Sequence, residues 1–200
     1  MTRALAALVL LVVFTGAGFG WRTVVQVRRY GDTGWRFSRR GPDRFVGPAL
    51  VLGTLLLGGG PVLALVGEAP TTGGPVAVVV GVVVAVAAGV LTVVAQVQMG
   101  ASWRIGVETG ERTDLVTGGL FARVRNPIFT GMVAFALALA LLVPNLPTLL
   151  GAALTLATIE VQVRLVEEPH LVGVHGEAYR RWAGATGRFL PGLGRLSRPS

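Results

Sequence analysis

Residues 45–67 and 76–99 run for 23 and 24 positions without one charged side chain. About 20 such residues, wound as a helix, match the hydrocarbon thickness of a bilayer. No lipid-exposed backbone can leave its N–H and C=O groups unpaired there, so helices or closed barrels are the only options. The second run is rich in valine, which favours strands in water, but its unbroken length reads as a membrane helix. Composition agrees: 52% of residues are hydrophobic, 14% are charged, and mean hydropathy is +0.66. A soluble domain of 200 residues would carry more charge at its surface.

Three further apolar runs complete the pattern. Residues 4–21 form an 18-residue uncharged stretch, long for a signal-peptide core and continuous through Arg22 into Val24–Val27, so a retained helix is expected. Its Gly16-x-Gly18-x-Gly20 follows no strand and reads as close helix packing rather than a nucleotide loop. Residues 128–143 are 16 in number, short for a span, and a Pro144–Pro147 break separates them from a run at 148–159 that continues amphipathically to Glu168. The expectation is an all-α integral membrane protein with five transmembrane helices, the last two a helical hairpin. It forms one domain: three helices in 1–98 and a second functional half in 99–200.

All 18 basic residues are arginine, cysteine is absent, and histidine occurs twice. Thiolate chemistry is excluded, and the two histidines, His170 and His175, assemble no metal site unaided. The segments 28–44, 100–127 and 164–200 hold 16 of the 18 arginines; the turns at 68–75 and 144–147 hold none. That bias places the arginine-bearing side, with the C-terminus, in the cytoplasm and the N-terminus outside; the expected location is the plasma membrane of a prokaryote. The net charge of +8 then reflects topology and anionic lipid headgroups rather than nucleic acid. Tyr30, Trp35 and Phe37 among the arginines fit the same interface, Gln96 and Gln98 call for a cavity or a partner, and the last six residues read as a frayed end.

Two clusters could carry chemistry. On a regular helix at about 100° per residue, Glu160, Arg164, Glu167 and Glu168 fall on one face. That is either a self-neutralising ladder or a polar face turned to a cavity, with carboxylate in excess for a cationic partner. Before the hairpin, Gly118-Gly119 permits a tight turn with close backbone approach. Asn126-Pro127 reads as a helix start, with asparagine as cap and proline first in the helix.

Residues 115–131 read LVTGGLFARVRNPIFTG; EEPHL follows at 167–171, GEAY at 176–179 and FLP at 189–191. This ordered set resembles the isoprenylcysteine carboxyl methyltransferases, membrane enzymes that use S-adenosylmethionine and are related to phospholipid N-methyltransferases. The resemblance covers about residues 96–192. It implies a cofactor pocket near the cytoplasmic surface, closed by a C-terminal lid that includes Tyr179 and Trp182. By position, Leu115, Val116, Gly119 and Phe121 would border the cofactor, Asn126, Pro127, Ile128 and Phe129 would fall on the family's Arg-His-Pro-x-Tyr element, and Glu167 would hold the cofactor. Asn126 stands where histidine is usual and Phe129 where tyrosine is usual. Asparagine keeps a donor and an acceptor; phenylalanine loses the hydroxyl.

The expected partners are membrane lipids and a small lipophilic acceptor, with no nucleic acid and no metal. Arg164 would orient a carboxylate or thiol acceptor, and Glu168 or Glu160 would serve an amine as base. Competing readings are a membrane NADPH-dependent reductase, whose relatives are longer, and a non-catalytic adaptor or transporter that kept the fold.

Overall fold

The structure, a computed structural model, describes residues 2–31, 33, 43–67, 74–103 and 114–197. Trp35, Phe37 and their neighbouring arginines, most of the turn at 68–75, residues 104–113 and the end of the tail lie outside the described residues.

The apolar runs are helices. The first, Thr2–Tyr30, is α1 (Thr2–Thr15) joined to α2 (Arg22–Tyr30) by a π-helical stretch, Gly16–Trp21. Then come α3 (Asp43–Leu65), α4 (Pro75–Met99), α5 (Pro127–Leu142), α6 (Leu146–Val161) and α7 (Glu168–Ala185). A second π-helical stretch, Gln162–Glu167, joins α6 to α7 in one rod, which kinks at Gly176 (φ 53°, ψ −127°). Four helical rods are long and apolar enough to cross a membrane; α5, at 16 residues, is the shorter apolar helix. Five passes were expected, and α5 is the one that falls short of a span's length. No strand occurs among the described residues, only a parallel bridge between Val124 and Gly187.

Proline and asparagine set the hairpin. Asn145 caps α6, its Oδ1 accepting from Thr148 N (3.2 Å) and Thr148 Oγ1 (2.9 Å). Its Nδ2 donates to Gly60 O of α3 at 2.8 Å. One side chain therefore satisfies orphan amides of the helix start and ties α6 to α3. Close approach does the rest: a Cβ on Gly151 would lie 2.9 Å from Gly53 O and 2.8 Å from Leu57 N. At the α4–α5 seam a Cβ on Gly131 would overlap Thr92 Oγ1. Small residues bring membrane helices together in this way, since lipid supplies little hydrophobic drive between them. Phe14 stacks on Phe135 at 4.0 Å in the core, beside Leu139 and Leu142. The opposite faces present Val9, Leu52, Val79, Val83 and Val90 outward, an apolar surface that fits lipid.

Packing through Gly16-x-Gly18-x-Gly20 holds only at Gly18, which meets Thr92; Gly16 and Gly20 face open space. The stretch is π-helical instead, and Gln96 Nε2 of α4 donates to Gly18 O at 2.7 Å. Gln98 Oε1 accepts from Leu120 N at 2.9 Å. Each glutamine thus has one partner, though Gln96 Oε1 stays buried without one.

Gly60 and Gly59 give a matched pair. A methyl at Gly60 overlaps Thr148 Oγ1 and Asn145 Oδ1, whereas Gly59 has nothing within 4 Å. Gly60→Ala should lower stability in detergent by ~1–3 kcal/mol. Gly59→Ala should leave the thermal midpoint unchanged or higher.

Candidate active site

At the arginine-bearing end, α5, α7 and the loop before α5 enclose a cleft of about 150 Å³. Leu115, Val116, Phe121, Asn126, Pro127, Ile128, Phe129 and Glu167, all expected from sequence, line it together. Gly119 does not. It takes a positive φ of 60° to turn the chain, and its α-carbon packs so tightly on Gln98 that a Cβ would lie 2.6 Å from Oε1. Of the two aromatic residues expected in the lid, Trp182 lines the cleft and Tyr179 does not; Trp103, Asp114, Arg125, Met132 and Leu171, which the sequence reading had not placed in the site, also line it. Trp103 is buried under the Arg22 guanidinium, 5.2 Å from its ring centroid. Trp182 is fixed by its indole N–H, which donates to Phe121 O at 3.1 Å.

The four charged residues expected on one helix face are divided. Glu160 and Arg164 pair with each other at the surface, with side chains 34% and 54% exposed. Glu167 turns to the cleft and accepts from Gln162 Nε2 at 3.3 Å. Glu168 points to the far side of the cleft wall. The π-helical turn Gln162–Glu167 sets the outer pair apart from the two acids that follow. Its i→i+5 bonds fit more residues into each turn than 3.6, so a projection at 100° per residue loses register across it.

Glu168 sits between two guanidiniums. Arg125 Nη2 donates to Oε1 at 2.6 Å, and Arg188 donates to both oxygens, Nε at 2.7 Å and Nη2 at 2.9 Å. Those bonds hold the Arg188 guanidinium above its ordinary pKa. Arg125 Nη1 also donates to Ala183 O and Thr186 O, and its Nη2 to Gly194 O. Neither Arg164 nor Glu168 lines the cleft.

The segment after α7 folds back onto the start of α5. Arg125 N donates to Gly187 O at 2.8 Å and Thr130 Oγ1 to Phe189 O at 2.8 Å. Asn126 donates twice to Arg188 O, from its backbone N and from Nδ2, each at 3.1 Å. Asn126 does stand at the N-cap position of α5, but its side chain caps nothing there. It clips the tail instead.

The sequence model of the phospholipid methyltransferase family matches residues 76–178, just over half the chain. The chain belongs to the phospholipid methyltransferase family. That match runs from α4 into α7 and takes in every cleft residue from Met99 to Leu171. It accords with the likeness to isoprenylcysteine carboxyl methyltransferases carried by residues 115–131 and 167–179. No curated protein and no solved structure gives a significant match.

Breaking a buried ion pair by removing one partner leaves the other charge stranded, at a cost of ~3–5 kcal/mol. With Arg125 only 1% exposed at its side chain and Glu168 9%, Glu168→Ala should fall in that range in detergent melts. Trypsin should then cut faster after Arg188, whose carboxylate partner is gone.

Proposed function

We propose that this chain transfers a methyl group from S-adenosylmethionine to a lipophilic acceptor at the cytoplasmic face of the membrane. The observation that carries the reading is Glu167, a carboxylate lining the cleft without a guanidinium partner among the described residues. Asp114 lines the same cleft from an exposed position. Both acids suit a ligand with a sulfonium and an ammonium, and Trp103, Phe121 and Trp182 offer apolar and aromatic surface for a sulfonium and a flat ring. The residues therefore fit the group. When bound, it supplies an electrophilic methyl on sulfur, which passes to the nucleophile as the sulfur departs a neutral thioether.

What this chain contributes is alignment. Methyl transfer to an already nucleophilic atom needs little acid–base help, and holding two reactants in line can supply much of the rate. Glu167 would hold the cofactor's cationic side, and the ring walls would exclude water. The tail, tied by Arg188 and Asn126, would act as the lid on the cytoplasmic side, and the arginine bias supports that orientation.

The charge lining favours an amine among the possible heads, over a carboxylate or a thiol. Among the described residues the guanidinium at the cleft is that of Arg125, whose Nη atoms are already taken by Glu168 and three carbonyls. Among the described residues no other guanidinium lines the cleft, Arg125 keeps only its buried Nε without a partner, and Arg164 is turned outward with Glu160. Glu168, held by two arginines, is a weak proton acceptor. Asp114, in the cleft wall and open to solvent, is better placed to take the proton an amine loses.

Binding of S-adenosylmethionine to the detergent-purified protein tests the core of this reading. Glu167→Gln should weaken it by about tenfold or more, ~1.4 kcal/mol; unchanged affinity would remove Glu167 from the role. With methyl-labelled cofactor and membrane lipid extract, the product label should resist alkali, as an N-methyl group does. Release of volatile methanol would identify a methyl ester and an acid acceptor.

A further inference from the structure

Above the cleft, towards the bilayer centre, lies a second cavity of about 300 Å³. It runs between α1, α3, α5 and α6, and its walls include Leu11, Phe14, Thr54, Leu55, Phe135 and Thr155. Phe19, Leu50 and Met132 line both this groove and the cleft. The two spaces therefore meet across the same three side chains.

The groove is chemically a hydrocarbon site. Its hydroxyls are those of Thr15, Thr54 and Thr155, and each donates back to its own helix: to Leu11 O at 2.8 Å, Leu50 O at 2.9 Å and Gly151 O at 2.8 Å. A threonine bonded in this way spends its donor on the backbone. A polar head placed there would find no fresh donor, and a hydrocarbon chain would leave none unsatisfied. On one side Val51 and Leu55 are 60% and 65% exposed, so the groove opens to lipid between α1 and α3. The Phe14–Phe135 stack walls it off from the third apolar hollow between α1 and α4. From Leu50 to Leu57 the α3 wall rises roughly 10 Å, the length of about eight extended carbons.

We propose that this groove holds one hydrocarbon chain of the methyl acceptor, with its first eight or so carbons (about the wall length just given) inside the protein. The head group then lies beyond Phe19, Leu50 and Met132, in the cleft. The assignment rests on the methyltransferase reading and adds a substrate class to it: an amphiphile that threads a single chain past α3. A two-chain lipid would leave its second chain in the bilayer, beside Val51 and Leu55.

The test uses the full-length protein in phosphatidylcholine vesicles, with dodecylamine carrying a mid-chain diazirine as a trace photoprobe. Bilayer lipid is in vast excess, so enrichment at the groove reports selective binding rather than ordinary solvation. Crosslinks should map to groove residues such as Thr54 and Phe135. Thr54→Phe and Val51→Phe, both at exposed positions, should cut labelling by about tenfold, ~1.4 kcal/mol, while S-adenosylmethionine binding persists. Label scattered over the lipid-facing valines of α4, such as Val83 and Val90, would overturn the proposal. So would wild-type labelling in both variants. A wild type that labels in the groove but binds no S-adenosylmethionine would instead sink the methyltransferase reading, and the acceptor assignment with it.

Discussion

Withdrawing a carboxylate from water costs several kcal/mol unless opposite charge and hydrogen bonds replace the lost hydration. Glu168 is buried on that condition: two arginines from opposite ends of the functional half supply three short bonds. Arg125 precedes α5 by two residues and Arg188 follows α7 by three. Their meeting point fixes the angle between those helices, and with it the distance between Asn126 on one wall and Glu167 on the other. The strength of such a pair lies less in net stability than in geometry, because each partner is intolerable alone.

The two π-helical stretches shape the cleft end in complementary ways. A π turn leaves backbone carbonyls off their usual partners and re-aims the side chains that follow. In the first rod this frees Gly18 O for Gln96 and brings Phe19 to the boundary of both cavities. In the α6–α7 rod it shifts the face of the acids that follow, so that Glu160 and Arg164 pair outside while Glu167 reaches the cleft and Glu168 the two arginines.

The features legible in sequence were those encoded in contiguous residues. Uncharged runs fixed where helices lie, since nothing else satisfies backbone in lipid; Pro144–Pro147 marked the hairpin. The 115–129 stretch and Glu167 came together in one cleft because a loop and a helix start deliver neighbouring residues to the same place. What escaped was long-range or main-chain in nature. The π turn at 162–167 has no side-chain signature, so Arg164 was projected inward though it faces out. Asn126 looked like a cap, and only the folded tail shows the carbonyl it holds. Trp103 and Asp114 flank residues 104–113, and nothing in their local pattern points to a cleft.

That tail is fastened almost wholly through its own main chain: the carbonyls of Gly187, Arg188, Phe189 and Gly194 accept from the α5 side. A carbonyl is the same in every residue. The docking of this tail on α5 can thus survive wide drift in the side chains of 187–194, provided a few conditions hold. Gly187 has no room for a Cβ beside Leu190 O, and Arg188 must reach Glu168. Position 126 needs one N–H aimed at Arg188 O, which an amide provides as well as an imidazole would. Seen this way, asparagine in place of the usual histidine is a conservative exchange of donors.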